Sequence, residues 1–152
     1  MRILLVCTGN TCRSPLAAAM LRRMLADAGR ADIEVGSAGI MAQEGDPASE
    51  GTYLVALEHG MDLSSHRAQL LTPALAQQSD LILTMSRSHR RRAEEVGAQN
   101  VAVLGEFAGL HGPDAEVPDP FGGDLDDYRA AYARLERFLQ SALQRLSREA
   151  SR

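Results

Sequence analysis

Short, wholly apolar runs alternate along this chain with longer stretches in which apolar residues recur every three or four positions. The first run, residues 3–6, reads as a strand covered on both faces, because a half-solvated strand would alternate apolar with polar residues. A helix is predicted next. Ser14 is placed to cap it and Pro15 to take its first position, with Leu16, Met20, Leu21, Met24 and Leu25 turned inward and Gly29 ending it. Residues 33–37 predict a second strand, closed by Ala38-Gly39. Asp46-Pro47 opens a helix that stops at Gly60, and Thr72-Pro73 opens a short one. Residues 81–83 predict the third strand, Ser86 caps a helix ending near Gly97, and residues 101–104 predict the fourth strand. A loop over 105–123, punctuated by Pro113, Pro118 and Pro120, leads into a helix over 124–147. Its stripe of Leu125, Tyr128, Tyr132, Leu135, Leu139, Leu143 and Leu146 keeps helical spacing.

Strands separated by helices predict an α/β fold: a single domain over residues 1–152 in three layers, a four-stranded parallel sheet with helices on both faces. In such a sheet ligands bind beyond the carboxyl ends of the strands. The carboxyl end of the first predicted strand runs into Cys7-Thr8-Gly9-Asn10-Thr11-Cys12-Arg13-Ser14-Pro15, the stretch richest in chemistry.

Bulk composition narrows the partners. A net charge of −4 speaks against nucleic acid or anionic membrane as the main partner, and no stretch approaches the length of a bilayer span. Arg90-Arg91-Arg92 is followed by Glu94 and Glu95, which predicts Arg90–Glu94 and Arg91–Glu95 pairs on a solvated helix face. Residues 1–7 resemble a lipoprotein leader, but the apolar run is too short and Val6 is a poor residue before a cleavage site, so Cys7 is expected in the mature protein. Two cysteines make no disulfide framework. The histidines lack metal-ligand spacing. The expectation is a cytoplasmic monomer with no metal and no cofactor.

The loop has a clear chemical logic. Backbone N–H groups from Thr8 to Ser14 can wrap round an anion, and the helix behind them adds its positive end. Gly9 and Asn10 are residue types that tolerate positive φ, which a tight cradle needs. Arg13 can grip two phosphoryl oxygens through its planar fork. These positive groups favour the thiolate form of Cys7, and Ser14 can donate a hydrogen bond to it. An isolated cysteine reads as a buried structural one, but here that reading would have to explain Gly-Asn, Ser-Pro and the preceding strand as well.

A thiolate attacking phosphorus needs a general acid to protonate the leaving group. Asp119, stiffened by Pro118 and Pro120 and followed by Phe121, is the best candidate, with Phe121 as a wall of the substrate slot. Alone, Asp119 reads equally as a turn-forming Asp before Pro. Asp114 competes for the role, while Asp124, Asp126 and Asp127 read as the acidic first turn of the last helix. Cys12 lies five residues after Cys7. It could pair with Cys7 as a reversible disulfide that shields the nucleophile, or fill the rear of the loop as a structural thiol.

The string Val6 to Pro15, with Ser37-Ala38-Gly39, Ser65-His66-Arg67 and Asp119-Pro120-Phe121, resembles the low-molecular-weight protein tyrosine phosphatases over essentially the whole chain. The resemblance implies Cys7 as nucleophile through a thiophosphate, Arg13 as phosphate clamp, Asp119 as acid and then base, and phosphorylated proteins as substrates. It also implies that Asn10, Ser37 and His66 support the loop, although His66 alone reads as a surface turn histidine. Tyrosine phosphatases of the family usually carry a bulky aliphatic residue at Thr11 and a second aromatic at Gly122. Thr11 with Asp119-Pro120-Phe121-Gly122-Gly123 looks instead like the protein-arginine-phosphatase branch. A Thr11 hydroxyl can hydrogen-bond a guanidinium where an aliphatic side chain cannot, and one aromatic fewer weakens stacking on a phenol. Three readings remain behind phosphoarginine: a tyrosine phosphatase, a catalytically silent phosphate-binding module, and an arsenate reductase. The last would need downstream cysteines that do not occur.

Overall fold

Complete burial of both sides of the first strand organises the molecule. In the computed structural model, which describes residues 1–150, β1 (Arg2–Cys7) is the second strand of a four-stranded sheet with order β2-β1-β3-β4. The other strands are β2 (Glu34–Gly39), β3 (Leu81–Thr84) and β4 (Val101–Val103), and every pairing is parallel. Side chains of β1 alternate between two cores. Ile3, Leu5 and Cys7 join one built with α1 (Arg13–Asp27), α2 (Glu50–Glu58), α5 (Leu104–Phe107) and α6 (Leu125–Ala150). Leu4 and Val6 join the other, under α3 (Pro73–Gln78) and α4 (Arg87–Glu95). Burying each of these leucines contributes ~1.5–3 kcal/mol. Among the described residues no helix is long and apolar enough to cross a membrane.

The predicted three-layer α/β architecture is therefore the observed one. The chain leaves β1 for β2 on one side and reaches β3 on the other, so the carboxyl end of β1 is a topological switch point and Cys7 sits on it. Several predicted devices are in place. Gly29 ends α1 at φ 72°, with Arg30 N–H reaching back to the Leu25 carbonyl. Thr72 and Ser86 cap α3 and α4 through their hydroxyls. The stripe on α6 is buried at Tyr128, Tyr132, Leu135, Leu139 and Leu146.

Other expectations need correction. Ser14 does not cap α1: the helix starts at Arg13, and the Ser14 hydroxyl is drawn away by Asn10 and Cys7. The helix expected from Asp46 begins at Glu50, because the Asp46 backbone is bonded to Ala68. The region 105–123 is not all loop, since α5 and a 3-10 turn over Gly112–Ala115 occupy part of it. On α4 the Arg90–Glu94 pair forms at 3.4 Å, but Glu95 pairs with Arg92 at 2.9 Å instead of Arg91.

Candidate active site

Asn10 holds the loop in shape. It is fully buried at φ 57°, a left-handed conformation that Asn enters more readily than other side chains. Its amide nitrogen donates to Ser14 Oγ at 2.8 Å and to Ser37 Oγ at 2.9 Å, and its Oδ1 accepts the Gln69 N–H at 3.0 Å. The Asn10 carbonyl lies 2.7 Å from His66 Nε2. Burial lowers the His66 pKa against the raising effect of that bond, so the ring is neutral near pH 7 and Nε2–H is the donor. Gly39 closes the arrangement: a Cβ there would lie 2.5 Å from the Thr8 carbonyl oxygen, so only glycine lets β2 end against the loop. Gly9, expected to need positive φ beside Asn10, does not adopt it. A side chain at Gly9 would meet only Thr11 Oγ1, at 3.7 Å, so glycine leaves that side of the loop open.

The same network reaches Cys7. The Ser14 hydroxyl accepts from Asn10, lies 2.9 Å from Cys7 Sγ and donates to the Ala38 carbonyl at 3.4 Å; a Cys7 thiolate, which can only accept, would take that proton at the shorter distance. Arg13, 5% exposed, is fixed by donation from Nη1 to the Val117 carbonyl at 2.8 Å and from Nη2 to Thr8 Oγ1 at 3.3 Å. Its buried Nε has no partner inside the protein. Thr8, Gly9, Thr11 and Cys12 line one cavity of about 210 Å³ with Cys7, Arg13, Asp119 and Phe121.

Asp119 reaches the cavity from more than a hundred residues away. Its Oδ2 lies 3.6 Å from Arg13 Nη2 and its Oδ1 accepts the Phe121 N–H at 3.0 Å. The competing carboxylates are occupied elsewhere. Asp124 and Asp127 exchange backbone N–H bonds at 3.0 Å in a reciprocal cap of α6, and Asp126 pairs with Arg129 at 2.9 Å. Asp114 belongs to the 3-10 turn. Phe121 is 75% exposed and forms an open wall.

Cys12 and Cys7 are both buried and free. Cys12 Sγ donates to Ser49 Oγ at 3.3 Å and lies 3.7 Å from the Tyr128 hydroxyl. The Thr11 hydroxyl has only a long contact of 3.8 Å, to that same sulfur. Gln69, Tyr128 and the Val117 carbonyl escaped sequence reasoning, as did His89, whose Nε2 lies 2.8 Å from Thr8 Oγ1. None carries a local signal, since each meets the loop only through the fold. Among the described residues, no group of three or more His, Cys, Asp or Glu side chains is arranged to hold a metal ion.

A thiol backed by a hydroxyl, an arginine fork and a carboxylate meet at one small cavity, the kinds of group that phosphoryl transfer to a cysteine uses. The profile of the low molecular weight phosphotyrosine protein phosphatase family matches residues 2–152, and the chain belongs to that family. It is a low-molecular-weight protein phosphatase. It is 36% identical to a protein-arginine-phosphatase of Geobacillus stearothermophilus over 97% of either chain. It is 37% identical to the low molecular weight protein-tyrosine-phosphatase Etp of Escherichia coli, over 96% of this chain and 95% of Etp. Among solved structures it is similar to YwlE arginine phosphatase, in a cysteine-to-serine mutant with a phosphorylated active site serine. There the TM-score is 0.89 and the identity 34%, over 97% of this chain and 96% of that one.

Proposed function

We propose that this phosphatase acts on phosphoarginine in proteins through a thiophosphate on Cys7. The Cys7 thiolate attacks phosphorus as the bond to the leaving nitrogen breaks, and Asp119 in its acid form gives that nitrogen a proton. Arg13 and the loop N–H groups hold the phosphoryl oxygens, where charge builds in the transition state. Water then attacks phosphorus, passes its proton to the Asp119 carboxylate, and releases inorganic phosphate and the thiolate. Under oxidation Cys12, on the same cavity wall, is the partner for Cys7: peroxide takes up both thiol protons and leaves a disulfide that thiol reduces again.

The observation that carries the choice of substrate is Thr11. Its hydroxyl lies on the cavity wall with only one long contact inside the protein, free to accept from a guanidinium N–H. Asp119, on the same cavity lining, suits a cationic leaving group, and Phe121, the one aromatic of that lining, offers a phenol ring only one wall. The test compares kcat/KM on phosphoarginine and phosphotyrosine peptides of matched sequence. Phosphoarginine should be preferred, and Thr11→Ile should move the ratio toward phosphotyrosine by ~10-fold, the worth of one hydrogen bond to a charged group. Higher efficiency on phosphotyrosine in the unmodified protein sinks the arginine reading and leaves the tyrosine phosphatase.

A further inference from the structure

Behind the Cys7 loop lies a histidine that the mechanism does not use. His89 sits on α4, 3% exposed, with Nε2 at 2.8 Å from Thr8 Oγ1 and a buried Nδ1 that has no partner. Burial, with Arg13 adding to it, lowers the His89 pKa to about 4, so the ring is neutral at working pH and carries one proton. If Nδ1 held that proton, a buried N–H would be orphaned. With the proton on Nε2 the orphan is a lone pair, the less costly defect. Nε2–H therefore donates to Thr8 Oγ1.

That hydroxyl has a second donor already, since Arg13 Nη2 lies 3.3 Å away and has no lone pair to offer. Both lone pairs of Thr8 Oγ1 are then filled by neighbours that only donate, and its own proton can go to neither. Thr8 lines the cavity with Cys7 and Arg13, and the cavity is where an acceptor arrives. We infer that His89 is a positioning residue that turns the Thr8 hydroxyl proton into the active-site cavity, making the Thr8 side chain a donor to a phosphoryl oxygen. This rests on the phosphatase chemistry assigned to Cys7 and Arg13, not on the choice between phosphoarginine and phosphotyrosine. A bound phosphoryl group then meets a side-chain donor in addition to the loop amides and the arginine fork.

The experiment is a double-variant cycle on Thr8→Val and His89→Met, read by kcat/KM and by competitive inhibition with inorganic phosphate. Each single variant should weaken phosphate inhibition by ~10-fold, as expected for a hydrogen bond to a charged group. The double variant should be no worse than Thr8→Val within about twofold, because His89 acts only through that hydroxyl. His89→Gln, which returns an N–H donor, should recover to within about threefold. Multiplication of the two effects toward ~100-fold overturns the inference, as does normal phosphate inhibition in either single variant. If His89→Met fails to fold, the tautomer decides: nitrogen-15 shifts that put the His89 proton on Nε2 in the wild type, together with the Thr8→Val loss, uphold the inference, and a proton on Nδ1 overturns it. Wild type and Cys7→Ser are assayed in parallel. Wild-type turnover that Cys7→Ser abolishes upholds the phosphatase reading, so a failed cycle then counts against the role of His89 alone. No turnover by wild type would instead overturn that reading.

Discussion

The Cys7–Ser14 loop and the Asp119–Gly123 segment meet at one cavity but are built in opposite ways. Around the loop, Asn10 and Ser14 are fully buried, and the side chains of Ser37, His66 and His89, with the Gln69 backbone N–H, pin it by bonds of 2.7–3.0 Å. Asp119 has a side chain 48% exposed, one ion pair at 3.6 Å and one bond to the Phe121 N–H. What holds this segment to the sheet lies just upstream. Val117 N–H bonds the Met85 carbonyl, and the Glu116 carboxylate accepts the N–H of Arg87 at the start of α4. The contrast suits the two tasks proposed for them. Holding a phosphoryl group needs donors fixed before it arrives, whereas an acid serving both halves of a reaction must meet first a leaving group and then water.

The comparison can be broken most directly at the thiol. Cys7→Ser should lower turnover by ~10³-fold or more while the melting temperature stays close to wild type, because Ser14 can still bond the new hydroxyl. Full activity would refute the covalent route. Asp119→Asn comes next. Turnover should fall by ~10²–10⁴-fold with stability changed by less than ~1 kcal/mol, since an exposed ion pair is worth little and Asn keeps the bond to Phe121 N–H. Unchanged turnover would move the acid role to another group.

At Asn10, the buried support of the loop, stability and activity should fall together, unlike at Cys7 and Asp119. Asn10→Ala removes three side-chain hydrogen bonds and leaves alanine at φ 57°, so denaturant unfolding should report a loss of ~2–4 kcal/mol. Loss of activity at unchanged stability would show that the loop is not held in the way described. The last effect emerges only on acidification. The folded His89 pKa of about 4 lies below its ordinary value of 6.5, so the unfolded chain binds the proton first as pH falls. Stability should therefore be full above pH 6.5 and decline from there toward pH 4. In His89→Gln that decline should be shallower, and an identical slope would mean that another group supplies it.

Much of this was legible in the chain. The apolar runs marked the strands, Gly29, Thr72 and Ser86 marked helix ends, and the spacing of Cys7 and Arg13 marked the loop. These signals are local: a strand buried on both faces, a helix cap and an anion cradle each need residue types at fixed short offsets. Misreadings came where tertiary bonds took over a local preference. Ser14 has the side chain of a cap but spends its hydroxyl on Cys7, and Asp46 has the look of a helix start but gives its backbone to Ala68.

What sequence alone determined is the loop, its thiol and arginine, and the strand end on which they stand, because those residues are neighbours along the chain. The tertiary structure decided which of several carboxylates shares a cavity with the thiol and which histidines touch the loop. It placed Asp119 at the cavity while binding Asp124 and Asp127 to each other, and it set His66 on the Asn10 carbonyl and His89 on the Thr8 hydroxyl. Contacts between residues 56 to more than a hundred positions apart are fixed by how helices close over a sheet, and no short-range pattern records that.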